Sequence, residues 1–114
     1  MAITEAYTGT ATISTAEYSL VNNSTTLASS TNVGVYQVYM DFAAMASGDG
    51  YNIEIKEKTT SGGTQRSIYT AQIEGVQTSP FVTPTLVLMH GWDVTVNKVT
   101  GTDRSISWSI RKVG

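Results

Sequence analysis

The chain contains no cysteine. That single absence removes disulfide frameworks, thiolate metal sites and cysteine nucleophiles together. A fold of 114 residues must then be held by core burial, with oligomerisation as a further source of stability. Histidine occurs once, as His90. A general base or metal ligand needs partners, and metal sites draw on several His, Cys or carboxylate groups. His90-Gly91-Trp92-Asp93 therefore reads as a tight connection between strands, with Gly91 permitting the bend. Basic charge is scarce: 7 Lys and Arg stand against 9 Asp and Glu, for a net charge of −2. Lys56, Lys58, Arg66, Lys98, Arg104, Arg111 and Lys112 are dispersed among acids, so no phosphate-neutralising patch forms and no nucleic acid partner is expected. Long apolar runs are missing too. Leu86 to Met89 is far short of the roughly 20 residues a membrane helix needs, so no membrane partner is expected. Met-Ala-Ile-Thr-Glu-Ala-Tyr at the N-terminus has neither a basic n-region nor an apolar h-region, and a product made in a cytoplasm and remaining soluble is expected.

Reaction centres are equally hard to find. The acidic residues show no paired spacing. A calcium loop needs dense, regular oxygen ligands, and a glycosidase pair needs a cleft that nothing marks. Gly62-Gly63 precedes a strand pattern instead of a helix, so it is no phosphate cradle. The expectation is no enzyme: catalytic none, metal none, cofactors none.

What the chain does have is alternation. Charged residues are only 14%, well under the usual quarter or so. Ser and Thr fill the gap, suiting pleated strands and turns. Near the C-terminus Trp92, Val94 and Val96 oppose Asp93, Thr95 and Asn97, while Ile106, Trp108 and Ile110 oppose Ser105, Ser107, Ser109 and Arg111. A period of two gives each strand one buried and one wet face. Val99-Thr100-Gly101-Thr102-Asp103 between them reads as the last hairpin loop. Tyr36, Val38, Met40 and Phe42 form an apolar face against Val35, Gln37, Tyr39 and Asp41. The small residues from Phe42 to Gly48 suit one short helical turn crossing between sheets, with Gly48 and Gly50 supplying positive φ. Tyr51, Ile53 and Ile55 alternate with Asn52, Glu54 and Lys56, and Thr59 to Thr64 is a hairpin loop. The return strand carries Tyr69, Ala71 and Ile73. Pro84 places its segment at an edge or before a strand, and Thr85 to Met89 is apolar throughout, as where both faces are covered.

The fold class is all-β: an antiparallel β-sandwich, jelly-roll or Ig-like, of seven to eight strands with one short helical turn. One domain is expected. Residues 1-32 form a Thr/Ser-rich N-terminal arm, or edge strands of the same domain, and 33-114 form the sandwich body. The first region is the least patterned, with Tyr7, Gly9, Ala11 and Ile13 loosely on one side.

The aromatics separate into two groups. Trp92 and Trp108 fall on apolar faces and read as core. Tyr39 lies on the outward side with Gln37 and Val35, whereas Tyr7 and Tyr18 lie in the weakly patterned N-terminal region with Ile3. Tyrosine offers a flat apolar body with a polar handle. Ile3, Tyr7, Tyr18, Val35, Gln37 and Tyr39 are the candidate partner contacts.

Two segments carry a family resemblance: Gly34 to Asp49 running on through Tyr51 to Lys58, and Leu86 to Val96 closing with Ser105 to Arg111. In strand and turn pattern they resemble small β-sandwich virion structural proteins of tailed bacteriophages, of the head decoration or cement type. The resemblance covers about the last two-thirds of the chain and includes no catalytic motif. It implies a protein made in the host cytoplasm that binds the outside of the head on the virion capsid surface. The implied partners are the major capsid protein and further copies of itself, as a trimer or dimer. A head-tail connector or tail component, and a carbohydrate-binding adhesin-like module, are the other readings of the same pattern.

Overall fold

The computed structural model describes residues 2–114, and strands occupy both the strongly alternating runs and the weakly patterned N-terminal stretch. In chain order the elements are β1 (Ile3–Ile13), β2 (Tyr18–Ser19), β3 (Gly34–Asp41), β4 (Gly50–Lys58), β5 (Gln65–Glu74), β6 (Phe81–Val82), β7 (Leu86–Leu88), β8 (Asp93–Thr100) and β9 (Arg104–Val113). The first sheet has the order β1-β9-β3-β6, with β7 also on β3; the second has the order β2-β8-β4-β5. Every pairing is antiparallel. No helix occurs among the described residues, so none is long and apolar enough to cross a membrane.

This order decides between the two sandwich types. The chain crosses between sheets at each connection except the β4–β5 hairpin and the β6–β7 break, and β6 and β7 occupy one position along β3. Eight positions then read 1-9-3-6/7 over 2-8-4-5, which is a hairpin of four strand pairs rolled upon itself: a jelly roll. The break between β6 and β7 has a local cause. Pro84 lacks an N–H, so the ladder cannot continue through it. Thr83 fills the gap: its N–H donates to the Val38 carbonyl at 3.0 Å, and its hydroxyl accepts the Val38 N–H at 3.0 Å.

Five expectations change. The residues from Phe42 to Gly48 do cross between sheets, but through two consecutive turns instead of a helical turn. The bonds are Met45 N–H to Phe42 O and Asp49 N–H to Ala46 O, each spanning three residues. The Asp49 carboxylate caps the second turn by accepting the Ala46 N–H, and a helix would have to break that cap. Gly48 has φ 92°, while Gly50 begins β4 without a positive φ. Residues 99–103 are no hairpin loop, because β8 and β9 lie in opposite sheets; β9 pairs with β1 and β3. Leu86–Leu88 is not covered on both faces, since it sits at the sheet margin and Val87 is 75% exposed. Asp93, on the polar side of β8, is fully buried because the 17–28 segment lies over it.

The core lies between the sheets. Tyr36, Val38, Met40, Ile106, Trp108 and Ile110 enter from the first, and Tyr51, Ile53, Ile55, Trp92, Val94 and Val96 from the second. Trp92 contacts Tyr36 at 4.7 Å between ring centroids and meets Tyr7 edge-on at 5.8 Å. Its indole N–H donates to the Asn32 carbonyl, so burial leaves that polar handle satisfied.

Candidate functional site: the outer face of the first sheet

Because Tyr36, Val38, Met40, Ile106, Trp108 and Ile110 point inward, the alternate residues of β3 and β9 point outward. Pairing aligns them in rows. At one end Ile3, Val113, Val35 and Val87 lie side by side across β1, β9, β3 and β7. Ile3 is 71% exposed and Val87 75%, while Val35 and Val113 are half-buried by their neighbours. This is a continuous apolar row on four adjacent strands. The next row is Glu5, Arg111 and Gln37; the one after is Thr8, Ser109, Tyr39 and Val82. Thr10, Ser107 and Asp41 follow, then Thr12 and Ser105.

A bulge between Glu5 and Tyr7 makes this alignment work on β1. It inserts one residue and switches the alternation. Tyr7, Gly9, Ala11 and Ile13 therefore face the core, while Glu5 and Ile3 join the outer face.

The polar rows are cross-linked. Arg111 places its guanidinium carbon 3.7 Å from the Tyr39 ring centroid, a cation–π contact worth about 0.5–1 kcal/mol at an exposed site. Its Nε donates to the Ser109 hydroxyl, which donates to Glu5. The Tyr39 hydroxyl donates to Gln37 Oε1, and Gln37 Nε2 donates to the Thr83 carbonyl. Beside this cluster an open hollow of about 250 Å³ is lined by Tyr39, Asp41, Pro80, Ser107, Ser109 and Arg111, among others. The face thus combines an apolar ridge, a pre-ordered aromatic–guanidinium pair and a field of hydroxyls.

Of the six residues singled out from sequence, Ile3, Val35, Gln37 and Tyr39 come together on this face. Tyr7 and Tyr18 do not. Tyr7 packs edge-on to Trp92 and accepts a hydrogen bond from Asn32. Tyr18 packs edge-on to Trp108 in the other sheet's edge strand, and its hydroxyl donates to Asn23. Both rings are committed to the margin of the core. Arg111, Val113, Val87 and the Ser/Thr rows escaped the sequence reading. Their parity was visible, but that β9 runs between β1 and β3 was not.

Other polar clusters are saturated by their own neighbours. Asp49 accepts the N–H groups of Ala46 and Thr102 and the Nε of Arg104 at 2.6–2.9 Å. Those amides, with the guanidinium, hold its carboxyl well below the usual range, at about 2. Asp93 accepts from Ala28 N–H, the Ser19 hydroxyl and Val94 N–H, but burial without a cation pushes its carboxyl up. Glu17 is pushed up by burial and pulled further down by hydrogen bonds from Lys56 and Thr95, for a net lowering. His90 lies in the turn before β8. Its N–H donates to Glu57 and its carbonyl accepts from Lys58, and Gly91 bends the chain with φ 50°. Among the described residues no three His, Cys, Asp or Glu side chains are placed to hold a metal ion.

No protein-family model matches the chain, and no curated protein matches it. Among solved structures, a xylan-binding domain from CBM 22 is similar over 85% of this chain, with 17% identity and a TM-score of 0.42. The match spans 64% of that domain's length.

Proposed function

We propose that the protein is a non-catalytic binding module that works through the outer face of its first sheet, as a decoration or cement protein on the outside of a tailed-bacteriophage head. The observation that carries this reading is the apolar row Ile3–Val113–Val35–Val87, set beside Arg111 over Tyr39. An exposed apolar strip rimmed by polar groups is the usual mark of a protein contact, and Tyr and Arg are enriched where such contacts concentrate their energy. Arg111 occupies one face of the only outward ring in the cluster, which favours a protein partner over a stacked sugar.

The mechanism is mass action. A module that binds the closed shell but not its separated subunits stabilises the shell by the free energy of that binding. Many repeated modest contacts suffice on a lattice, since attachment is multiplied by valency. The major capsid protein would be the partner.

The test is electron microscopy of purified heads incubated with the full chain and with Tyr39→Ala/Arg111→Ala and Val87→Asp variants. The expected result is density spread over the head lattice, with occupancy reduced at least tenfold by either variant, given typical hot-spot losses of about 2 kcal/mol. Density confined to a vertex ring would point to a connector instead. Absence of head density together with strong glycan-array hits would replace the reading with the carbohydrate-binding one.

A further inference from the structure

The long free edge of the first sheet is β1, and its bulge-free portion has an internal symmetry. It reads Tyr7-Thr8-Gly9-Thr10-Ala11-Thr12-Ile13. About Thr10 the residue classes mirror each other: small residues at Gly9 and Ala11, threonines at Thr8 and Thr12, large apolar residues at Tyr7 and Ile13. One side of this strand pairs with β9 over its whole length. Among the described residues, no strand pairs with the other side.

We propose that β1 is a homodimer interface, in which two copies pair antiparallel about a two-fold axis through Thr10. An unpaired strand edge is a template for another strand, and natural proteins usually block it with charge, proline or extreme shortness. This segment carries no charge and no proline over seven residues. A second copy is the occupant that the symmetry selects, because an isologous contact requires each residue to meet its mirror image. In this register Thr10 lies opposite Thr10, Thr8 opposite Thr12, Gly9 opposite Ala11, and Tyr7 opposite Ile13. The outward side becomes a threonine ladder, a favourable cross-strand pairing. On the inward side, Tyr7 and Ala11 are only partly covered at this margin of the core, and each copy would cover the other's. The bulge at Ala6 ends the pairing, which limits it to the symmetric segment. Two first sheets would then run on as one, doubling the outer face. The inference stands on the edge strand and does not need the head-binding reading, so either can fail alone.

The chain has no cysteine, so a single introduced one gives an unambiguous report. Directly opposed antiparallel residues have Cα atoms about 4.5–5.5 Å apart, within disulfide reach. The full chain is studied by sedimentation at concentrations from on the order of 10 μM to 1 mM, the range suited to a small interface. Mass should rise from 12.2 kDa toward twice that value. Under mild oxidation Thr10→Cys should give covalent dimer, while Thr8→Cys, facing Thr12 of the other copy, should give little. T8K/T12K should weaken association at least tenfold by like-charge opposition, and T8K/T12E, with the same number of changes, should preserve or strengthen it. Circular dichroism and urea unfolding confirm that each variant is folded. A monomer mass throughout, equal crosslinking at positions 8 and 10, or equal dissociation constants for the two double variants would each overturn the proposal. So would association that ran through another edge and left Thr10→Cys uncrosslinked.

Discussion

Asp49 and Asp93 are both buried carboxylates with three hydrogen-bond donors, yet their acidities shift in opposite directions. The difference is the balance with desolvation: at Asp93 loss of water outweighs the three donors, whereas at Asp49 the Thr102 and Ala46 amides, helped by the Arg104 guanidinium, outweigh it. Asp49 titrates near 2 in the fold against an ordinary 3.8. Its stabilisation is therefore fully present above 3.8 and is lost as pH falls from there toward 2. Asp93 behaves oppositely: its carboxyl holds a proton more readily folded than unfolded, so its ionisation opposes folding at neutral pH and that opposition fades with acid. Asp49→Asn should flatten the loss of stability between pH 4 and pH 2, as followed by urea unfolding across that range. Parallel curves for variant and parent would remove Asp49 from the account. Tyr51 is the second residue of consequence. Its fully buried hydroxyl donates to Ile13 O and accepts the Arg104 N–H, each at 2.7 Å. Tyr51→Phe leaves both partners without that bond and should cost about 1–3 kcal/mol, read as a lower urea midpoint at unchanged slope.

At the scale of elements, the β3–β4 and β8–β9 connections explain each other. Each carries the chain from one sheet to the other, and they meet where Asp49 in the first binds Thr102 and Arg104 in the second. Gly48 and Gly101 show what each turn demands. Both have positive φ, 92° and 89°. A Cβ on Gly48 meets open space, whereas one on Gly101 would collide with the Asp49 carboxylate and with backbone at Asp49 and Gly48. Gly48→Ala should therefore cost only the conformational strain, about 1 kcal/mol. Gly101→Ala adds the displacement of Asp49 and should cost at least about 2–3 kcal/mol. Thermal unfolding of the pair measures the gap, and equal losses would show that the two turns are independent. The β6–β7 position is a different case: just before Pro84 interrupts the ladder, Thr83 still pairs with Val38, its N–H donating to the Val38 carbonyl and its hydroxyl accepting the Val38 N–H. Thr83→Val should leave the Val38 N–H unsatisfied in the core and cost about 1–3 kcal/mol.

The whole molecule divides its labour between two sheets. The second sheet is braced on its polar side by the 17–28 segment, through Glu17 to Lys56 and Thr95 and through Asp93 to Ser19 and Ala28. Among the described residues, nothing covers the central rows of the first sheet's outer side, where Thr8, Thr10, Ser107 and Arg111 are exposed. Removing residues 2–13 would delete β1 and with it Tyr7 and Ile13 from the core. The segment is an edge strand of the body, so its loss should unfold the protein or cost several kcal/mol, visible as a lost or strongly lowered thermal transition. A truncated chain with unchanged stability would revive the reading of a detachable arm.

Residue parity and turn chemistry were legible along the chain, because a period of two and the placement of Gly, Pro and Asp act over a few residues. They determined the all-β class, the inward faces of β3, β4, β8 and β9, the bend at Gly91 and the break at Pro84. Pairing was not legible, since nothing in Trp92 to Val113 says that its two strands part into opposite sheets. Tertiary structure alone buried Asp93 under a loop, turned Tyr7 inward through a one-residue bulge, and brought Ile3, Val35, Val87 and Val113 into one row. Alternation is a property of a strand by itself, whereas a surface is assembled from strands far apart in sequence, and only their packing decides which of them become neighbours.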